Sequence, residues 1–124
     1  MAKILAVDDS RTVRNMMGSM LRKAGHEVIT AEDGEDGIEK LREHPDVKIL
    51  IADINMPKMN GFEMLQAMQA YRMLTDIKTI FVTTEPTPEF IEKIMKQGAF
   101  AWIMKPFKQS DLNTVIEQAL EIND

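Results

Sequence analysis

Acidic, hydroxyl and ammonium side chains follow directly after four short apolar segments of this sequence. Asp8 and Asp9 follow the first segment, Asp53 the second, Thr83 the third and Lys105 the fourth. If these segments are parallel strands of one open sheet, their carboxyl ends share an edge, and ligands bind at that edge. The sequence therefore predicts a single pocket that contains three carboxylates, a hydroxyl group and a lysine.

These residue types suit a metal site beside a nucleophile. Carboxylates are preferred ligands of hard cations such as Mg²⁺ or Mn²⁺. Three of them at close range repel one another, so the pKa of at least one should rise unless a cation binds. An aspartate can also attack phosphorus and form an acyl phosphate. The metal, Lys105 and Thr83 would then each neutralise charge on one phosphoryl oxygen, which is most of what phosphoryl transfer requires.

Each of these residues also has an ordinary structural role when it is taken alone. An aspartate before a helix often caps it, and a threonine at a strand end often bonds to the backbone. A single lysine is most often a solvated surface charge. Because all of them are predicted at one edge of the sheet, we favour the metal and phosphate interpretation.

Size and composition indicate one ordinary globular domain. The chain has 124 residues, 44% of them hydrophobic and 28% charged, enough for one core and too few for two. We expect one domain over residues 1–124 without an output domain. Eleven methionines are most simply core filler, and a methionine-rich partner groove is the alternative.

Cysteine content, hydropathy and net charge indicate where the protein is located and which classes of partner are disfavoured. The chain contains no cysteine, which fits a reducing cytosol, and no apolar run long enough to span a membrane. Its N-terminus leads directly into a predicted strand, so we expect no signal peptide. The net charge of −5 argues against nonspecific binding of nucleic acid. We expect a cytoplasmic protein, monomeric, with no nucleic-acid or membrane partner.

The hydrophobic pattern predicts an α/β fold. Short apolar runs alternate with amphipathic stretches of helical period, which is typical of βα units around a parallel sheet. Five such units with right-handed crossovers give a doubly wound (βα)5 sandwich. The strands are predicted near residues 3–7, 27–31, 48–53, 78–82 and 101–104.

Capping residues predict where several helices begin. Ser10 should cap the first helix, whose apolar positions, spaced by three and four residues, share one face. Pro88 suits the first turn of the fourth helix, and Ser110 should cap the fifth. The first helix's apolar positions are Val13, Met16, Met17, Met20, Leu21 and Ala24.

Four motifs together resemble those of the receiver domain of two-component response regulators, and the stand-alone chemotaxis-type (CheY-like) regulators are the most similar. The resemblance covers essentially the whole chain and is highly specific as a set, although the Lys-Pro-Phe motif alone would be weak evidence. The motifs are Val7-Asp8-Asp9-Ser10, Asp53-Ile54-Asn55-Met56-Pro57 followed by Asn60-Gly61, Thr83-Thr84-Glu85, and Lys105-Pro106-Phe107.

The resemblance implies a fold, a site and a reaction. The fold would be flavodoxin-like, with a five-stranded parallel sheet of order 2-1-3-4-5. Asp53 would accept a phosphoryl group from a histidine kinase, with Mg²⁺ bound directly by Asp9, Asp53 and the backbone carbonyl of Asn55, and by Asp8 through water. Thr83 and Lys105 would contact the phosphoryl group, and the Lys105–Pro106 peptide bond would be cis. Beyond its own phosphorylation and dephosphorylation, no enzymatic activity is expected.

The resemblance also implies a switch. When Thr83 moves toward the phosphate, the aromatic residue three positions before the lysine, here Trp102, would swing inward. The surface of the fourth helix, fifth strand and fifth helix would then change its affinity for a partner such as a motor switch or another chemotaxis component. The opening Val7-Asp8-Asp9-Ser10-Arg11-Thr12-Val13-Arg14 favours this chemotaxis output. A phosphorelay shuttle to a histidine phosphotransfer protein is the alternative.

The chain departs from the family pattern around this switch. Trp102 is bulkier than the usual tyrosine or phenylalanine, and Thr84 replaces the usual alanine or glycine. Two prolines, Pro86 and Pro88, stiffen a loop that is usually mobile. Asn55 and Glu85 border the path of attacking water in this family, so they and Thr84 are the residues expected to tune the phosphoryl lifetime.

Two other classes of protein fit parts of the pattern. A flavodoxin-like FMN protein would share the fold, but its first loop must cradle a phosphate, and Asp8 and Asp9 would repel one. A phosphohydrolase with an aspartyl intermediate would need a general acid two residues after the nucleophile. Asn55 stands at that position and cannot transfer a proton.

Overall fold

The computed structural model of the protein describes residues 2–56, 59–71 and 77–122. Within these residues, five parallel strands form one sheet of order β2-β1-β3-β4-β5, which confirms the predicted fold class and strand order. The strands are β1 Lys3–Val7, β2 Glu27–Ala31, β3 Ile49–Asp53, β4 Lys78–Thr83 and β5 Ala101–Met104. The helices are α1 Arg11–Lys23, α2 Gly34–Glu43, α3 Gly61–Ala70, α4 Pro88–Lys96 and α5 Gln109–Ile122.

The sheet lies between two helical layers. Alternate residues of each strand point to opposite faces. Ile49 and Ile51 of β3 therefore pack with α1 and α5, while Leu50 and Ala52 pack with α2, α3 and α4. All four are completely buried, which explains why β3 is apolar without alternation. Among the described residues, no helix is long and apolar enough to cross a membrane.

Local signals in the sequence fix most of the helix beginnings. The hydroxyl oxygen of Ser10 accepts a hydrogen bond from the Val13 amide at 3.3 Å, so the predicted cap of α1 is confirmed. Pro88 occupies the first turn of α4, also as predicted. Gly25 follows α1 with a φ of 89°, a conformation that glycine adopts at little cost.

Two predictions about the helices are wrong. Ser110 does not cap α5, because the helix begins one residue earlier at Gln109. Instead, the backbone amide of Lys108, just before the helix, donates to the Asp111 carboxylate at 3.0 Å. Asp111 therefore provides a hydrogen-bond acceptor at the start of α5. The predicted apolar face of α1 is also too wide: Met16 is 45% exposed whereas Met17 is fully buried, and Ala24 is the exposed residue that follows the helix.

Close contacts between α3 and the sheet require a glycine at position 61. A Cβ atom placed on Gly61 would lie 2.8 Å from a ring carbon of Phe81 and 3.1 Å from the Cα of Ile54. Phe81 is fully buried and Ile54 would be met at its backbone, so neither neighbour can move away easily. This glycine lets α3 start directly beside the loop that follows Asp53.

We expect Gly61→Ala to lower the free energy of unfolding by about 1–3 kcal/mol, the usual cost of overpacking. Gly18→Ala in α1 is the matched control, because its nearest contact is the flexible end of Arg22 at 3.0 Å. Alanine is favoured over glycine inside a helix, so this variant should be neutral or more stable. Urea denaturation measures both changes. Equal destabilisation of the two variants would contradict the packing argument.

Candidate functional site: an acidic pocket closed by a lysine

The carboxyl ends of the strands bring the predicted acidic residues together. Asp8 follows β1, and Asp53 is the last residue of β3. Asp8, Asp9 and Asp53 each offer one carboxylate oxygen, and these three atoms lie within 4.8 Å of one another. The three residues predicted to form a metal site therefore converge at one edge of the sheet.

Lys105 completes this pocket from the end of β5. Its Nζ lies 2.9 Å from Oδ2 of Asp8 and 3.2 Å from Oδ2 of Asp53. The three side chains are only 16%, 1% and 13% exposed, respectively, so water screens their charges weakly. Lys105 is thus a bridge between two buried carboxylates and not a solvated surface charge.

The strand ends fix the backbone on either side of Lys105. Its amide donates to the carbonyl of Thr83 at 2.8 Å, which extends the pairing of β4 with β5 past Met104. The Lys105–Pro106 peptide bond is cis, as the sequence analysis expects. Lys105 therefore leaves the sheet beside Thr83, on the same edge as the carboxylates.

Backbone amides hold the remaining carboxylate oxygens. The Ser10 amide donates to Oδ1 of Asp8 at 2.9 Å, and the Asn55 amide donates to Oδ1 of Asp53 at 3.2 Å. Asp8 thus also supports the turn into α1, so its structural role and its place in the pocket coexist. Both oxygens of Asp8 and of Asp53 have defined donors, which fixes the orientation of these two side chains.

Thr83 lies at the end of β4 with its side chain buried. Its hydroxyl oxygen accepts a hydrogen bond from the Glu85 amide at 3.2 Å, so the hydroxyl proton remains for donation to an anion. A cavity of about 230 Å³ adjoins it. The cavity is lined by Ile54, Asn55, Thr83, Glu85, Pro86, Thr87, Phe90 and Ile91.

The three residues expected to tune lifetime lie around this cavity or at its rim. Asn55, Thr84 and Glu85 are exposed, and two of them, Asn55 and Glu85, line the cavity. Trp102 lies further along β5, half-buried, opposite Phe81 of β4. It packs against the core between the sheet and α2, α3 and α4. Trp102 therefore stands on the strand paired with β4 and does not line the cavity beside Thr83.

Burial and like charge destabilise the ionised form of Asp53. Burial raises the pKa of its carboxyl above the ordinary value, and the Asp8 charge adds to this rise, while the Lys105 ammonium opposes it. Desolvation acts to lower the pKa of Lys105, but its hydrogen bond to Asp8 and the Asp53 charge outweigh this and raise it. The pocket therefore carries more negative charge than its one lysine compensates.

The donor set fits a hard divalent cation. It consists of carboxylate oxygens, which such cations prefer over nitrogen and sulfur ligands. Asp9 is exposed, so the cluster of three carboxylates is open to solvent on that side. A cation bound here would share Asp8 and Asp53 with the Lys105 ammonium. The residues present therefore suit a metal ion and supply the excess negative charge that would attract it.

Sequence analysis did not identify Arg14 as part of the site. Its Nη1 donates to the backbone carbonyl of Asp8 at 2.7 Å. The sequence signal for this contact is an arginine in the first turn of the helix that follows an acidic pair. The signal is weak, because the partner is a main-chain atom that every residue has. Arg14 is thus a neighbour of the acidic pocket without being one of its ligands.

Comparisons with known proteins agree with this fold. A family model described as response regulator receiver domain matches residues 4–117. The chain is 37% identical over 123 residues to chemotaxis protein CheY1 of Helicobacter pylori, which covers 98% of this chain and 99% of that protein. It is 38% identical over 119 residues to the chemotaxis protein CheY homolog of Campylobacter jejuni, covering 95% and 92%.

A solved structure gives the same result. Vibrio cholerae chemotaxis protein CheY4 superposes with a TM-score of 0.90 at 36% identity, covering 96% of this chain and 98% of that one. The chain therefore belongs to the response regulator receiver domain family, and its relatives of CheY type match it over nearly its whole length. Membership in this family supports a role in phosphorylation-dependent signalling.

We expect Asp53→Asn to raise the melting temperature in metal-free buffer at neutral pH. Because the folded-state pKa of Asp53 is raised, ionisation of this group costs the folded state stability. That cost is absent below the ordinary carboxyl pKa of about 4 and grows as the pH rises through the raised value. The gain in the variant should therefore increase from acid to neutral pH in thermal unfolding measurements.

Asp46→Asn is the matched control for this pH dependence. Its hydrogen bond to Lys3 lowers the pKa of the exposed Asp46, so this variant should lose stability above the ordinary carboxyl pKa and lose none in acid. The two variants should show opposite trends with pH. The same trend in both would contradict the assignment of Asp53 as a destabilised charge.

Proposed function

We propose that this protein is a signalling switch in which Asp53 accepts a phosphoryl group from a histidine kinase. The observation that carries the proposal is the bridge from Lys105 Nζ to Asp8 at 2.9 Å and to Asp53 at 3.2 Å. This bridge holds a positive charge against the carboxylate that would become the acyl phosphate. The chemotaxis names of the relatives support an output in chemotaxis or motility.

The reaction is a displacement at phosphorus. An oxygen of the Asp53 carboxylate attacks the phosphorus of a phosphohistidine, an oxygen–phosphorus bond forms and the nitrogen–phosphorus bond breaks. The imidazole nitrogen keeps the electron pair and takes up a proton. Because the Asp53 side chain is largely buried but not closed off, at 13% exposure, a donor can reach it from the edge of the sheet.

A divalent cation is the cofactor that the site suits best. Asp8, Asp9 and Asp53 would hold it together with the backbone carbonyl of Asn55, and Mg²⁺ or Mn²⁺ fits such ligands. When bound, it supplies positive charge to the phosphoryl oxygens. It also offsets the repulsion among the three carboxylates, which Lys105 alone leaves uncompensated.

The side chains around Asp53 would each have a separate role in phosphoryl transfer. Lys105 neutralises negative charge on a phosphoryl oxygen, for which electrostatic stabilisation matters more than covalent chemistry. Thr83 donates the hydroxyl proton that its contact with Glu85 leaves available. Asn55 and Glu85 at the cavity rim control the access of water to the acyl phosphate. The protein therefore catalyses only its own phosphorylation and dephosphorylation and is not an enzyme toward other substrates.

The output surface is proposed to be α4, β5 and α5. A groove of about 590 Å³ runs along β5 and α5, and its lining includes Trp102, Phe107 and Met104, the last 53% exposed. Thr83 and Trp102 stand on paired strands, β4 and β5. A shift of Thr83 toward a phosphoryl group can therefore be transmitted to Trp102, and so change the affinity of this surface for a protein partner.

Fluorescence of the single tryptophan tests the proposal. We expect one change in Trp102 emission on adding Mg²⁺ and a second on adding acetyl phosphate, because each step alters the charge beside Lys105, which directly follows the strand that carries Trp102. Asp53→Asn should lose the second change, and Asp9→Lys should lose the first. A second change of equal size in Asp53→Asn would contradict the proposed phosphoacceptor.

A phosphorelay output is separated from a protein-binding output by a transfer assay. The phosphorylated protein is mixed with a histidine phosphotransfer domain, and the phosphoryl group on each protein is followed with time. Retention on Asp53 until hydrolysis agrees with the protein-binding output. Rapid transfer to the histidine phosphotransfer domain would contradict the protein-binding output and support the phosphorelay shuttle.

A further inference from the structure

Arg14 folds back from the first turn of α1 onto the loop that precedes it. Its Nη1 donates to the backbone carbonyl of Asp8 at 2.7 Å, in a half-buried position. A hydrogen bond from a charged donor is shorter and roughly twice as strong as one between neutral groups. The contact therefore restrains the main chain of the Asp8–Asp9 turn.

This contact constrains Asp9 more than the other two aspartates. The side chain of Asp8 has its own donors in Ser10 and Lys105, and that of Asp53 has Asn55 and Lys105. Asp9 is exposed, so its direction depends on the backbone that carries it. The Asp8 carbonyl and the Asp9 amide belong to one planar peptide unit. Holding the carbonyl in place therefore also holds the amide nitrogen and Cα of Asp9.

We propose that Arg14 is a positioning residue for the divalent cation site, acting through the Asp8–Asp9 peptide. This inference rests on the proposed function, because it assumes that the three carboxylates bind a cation. The Arg14 guanidinium holds the plane of this peptide. It thereby keeps the Asp9 carboxylate close to those of Asp8 and Asp53, with one oxygen of each within 4.8 Å of the others.

Electrostatics and positioning predict opposite effects of removing Arg14. As a positive charge close to a cation site, Arg14 should weaken metal binding by repulsion. Loss of the charge alone would then tighten the binding of Mg²⁺. Loss of a group that orients a ligand typically weakens metal affinity by roughly 10–100-fold. The sign of the change therefore separates the two roles.

Arg11 provides a charge-matched control. It is the first residue of α1 and is exposed, so Arg11→Met removes one positive charge near the same helix end without removing the contact to Asp8. Arg14→Lys keeps the charge but replaces the planar guanidinium by a single ammonium group. These two variants isolate the charge of Arg14 from its geometry.

Calorimetric titration of Mg²⁺ into the full-length protein tests the inference. We expect Arg14→Met to bind Mg²⁺ about tenfold more weakly or worse, Arg14→Lys to recover part of the loss, and Arg11→Met to bind as tightly as the wild type or slightly tighter. Arg14→Met binding as tightly as the wild type, or tighter, would overturn the inference. A wild type that binds no Mg²⁺ would overturn the proposed cation site and this inference with it.

A second measurement does not depend on metal. In the metal-free protein, the backbone amide resonance of Asp9 should shift in Arg14→Met and in Arg14→Lys, and stay in place in Arg11→Met. An unchanged Asp9 amide in both Arg14 variants would contradict the proposed restraint even if the affinity fell. Should Arg14→Met fail to fold, the charge-conserving Arg14→Lys carries both tests.

Discussion

The bridge from Lys105 to Asp8 and Asp53 is the interaction on which the rest of the site depends. Three carboxylates meet, and Lys105 contacts two of them. Burial of Asp8, Asp53 and Lys105 weakens the screening of their charges by water. The pKa of Asp53 is raised as a result. A pocket with this imbalance favours a ligand that adds positive charge, and in the proposed function a divalent cation would supply it before the phosphoryl group arrives.

The fold holds these like charges together. Asp8 follows β1 and Asp53 ends β3, and backbone amides orient both carboxylates. The main-chain hydrogen bond from Lys105 to Thr83 sets the ends of β4 and β5 beside each other. Close packing at Gly61 lets α3 begin against Phe81 and Ile54. The energy that stabilises the sheet therefore also offsets the repulsion in the pocket.

Much of the fold and the site could be predicted from the sequence because both are encoded locally. Apolar runs and strand-end residues identified Asp8, Asp53, Thr83 and Lys105 before any contact was known, since parallel strands must share an edge. Side-chain caps such as Ser10 are equally local. The roles of these residues in phosphoryl transfer rest on the resemblance and stay predictions.

What the sequence did not reveal depends on tertiary contacts. Arg14 donates to a carbonyl, and every residue has one, so its partner has no sequence signature. The start of α5 at Gln109 was missed, because the contact of the Lys108 amide with the Asp111 carboxylate is seen only in the folded chain. Met16 has the right spacing for the core, but the width of the buried stripe on α1 excludes it.

The central claim is that Asp53 is the phosphoacceptor of a cation-dependent site, and mass spectrometry tests it most directly. The intact protein is incubated with acetyl phosphate in the presence of Mg²⁺ or of a chelator, and the modified position is located by peptide fragmentation. The account predicts one phosphoryl group, at Asp53, formed with Mg²⁺ and nearly absent with the chelator. A phosphoryl group at another residue, or equal modification without a divalent cation, would contradict it.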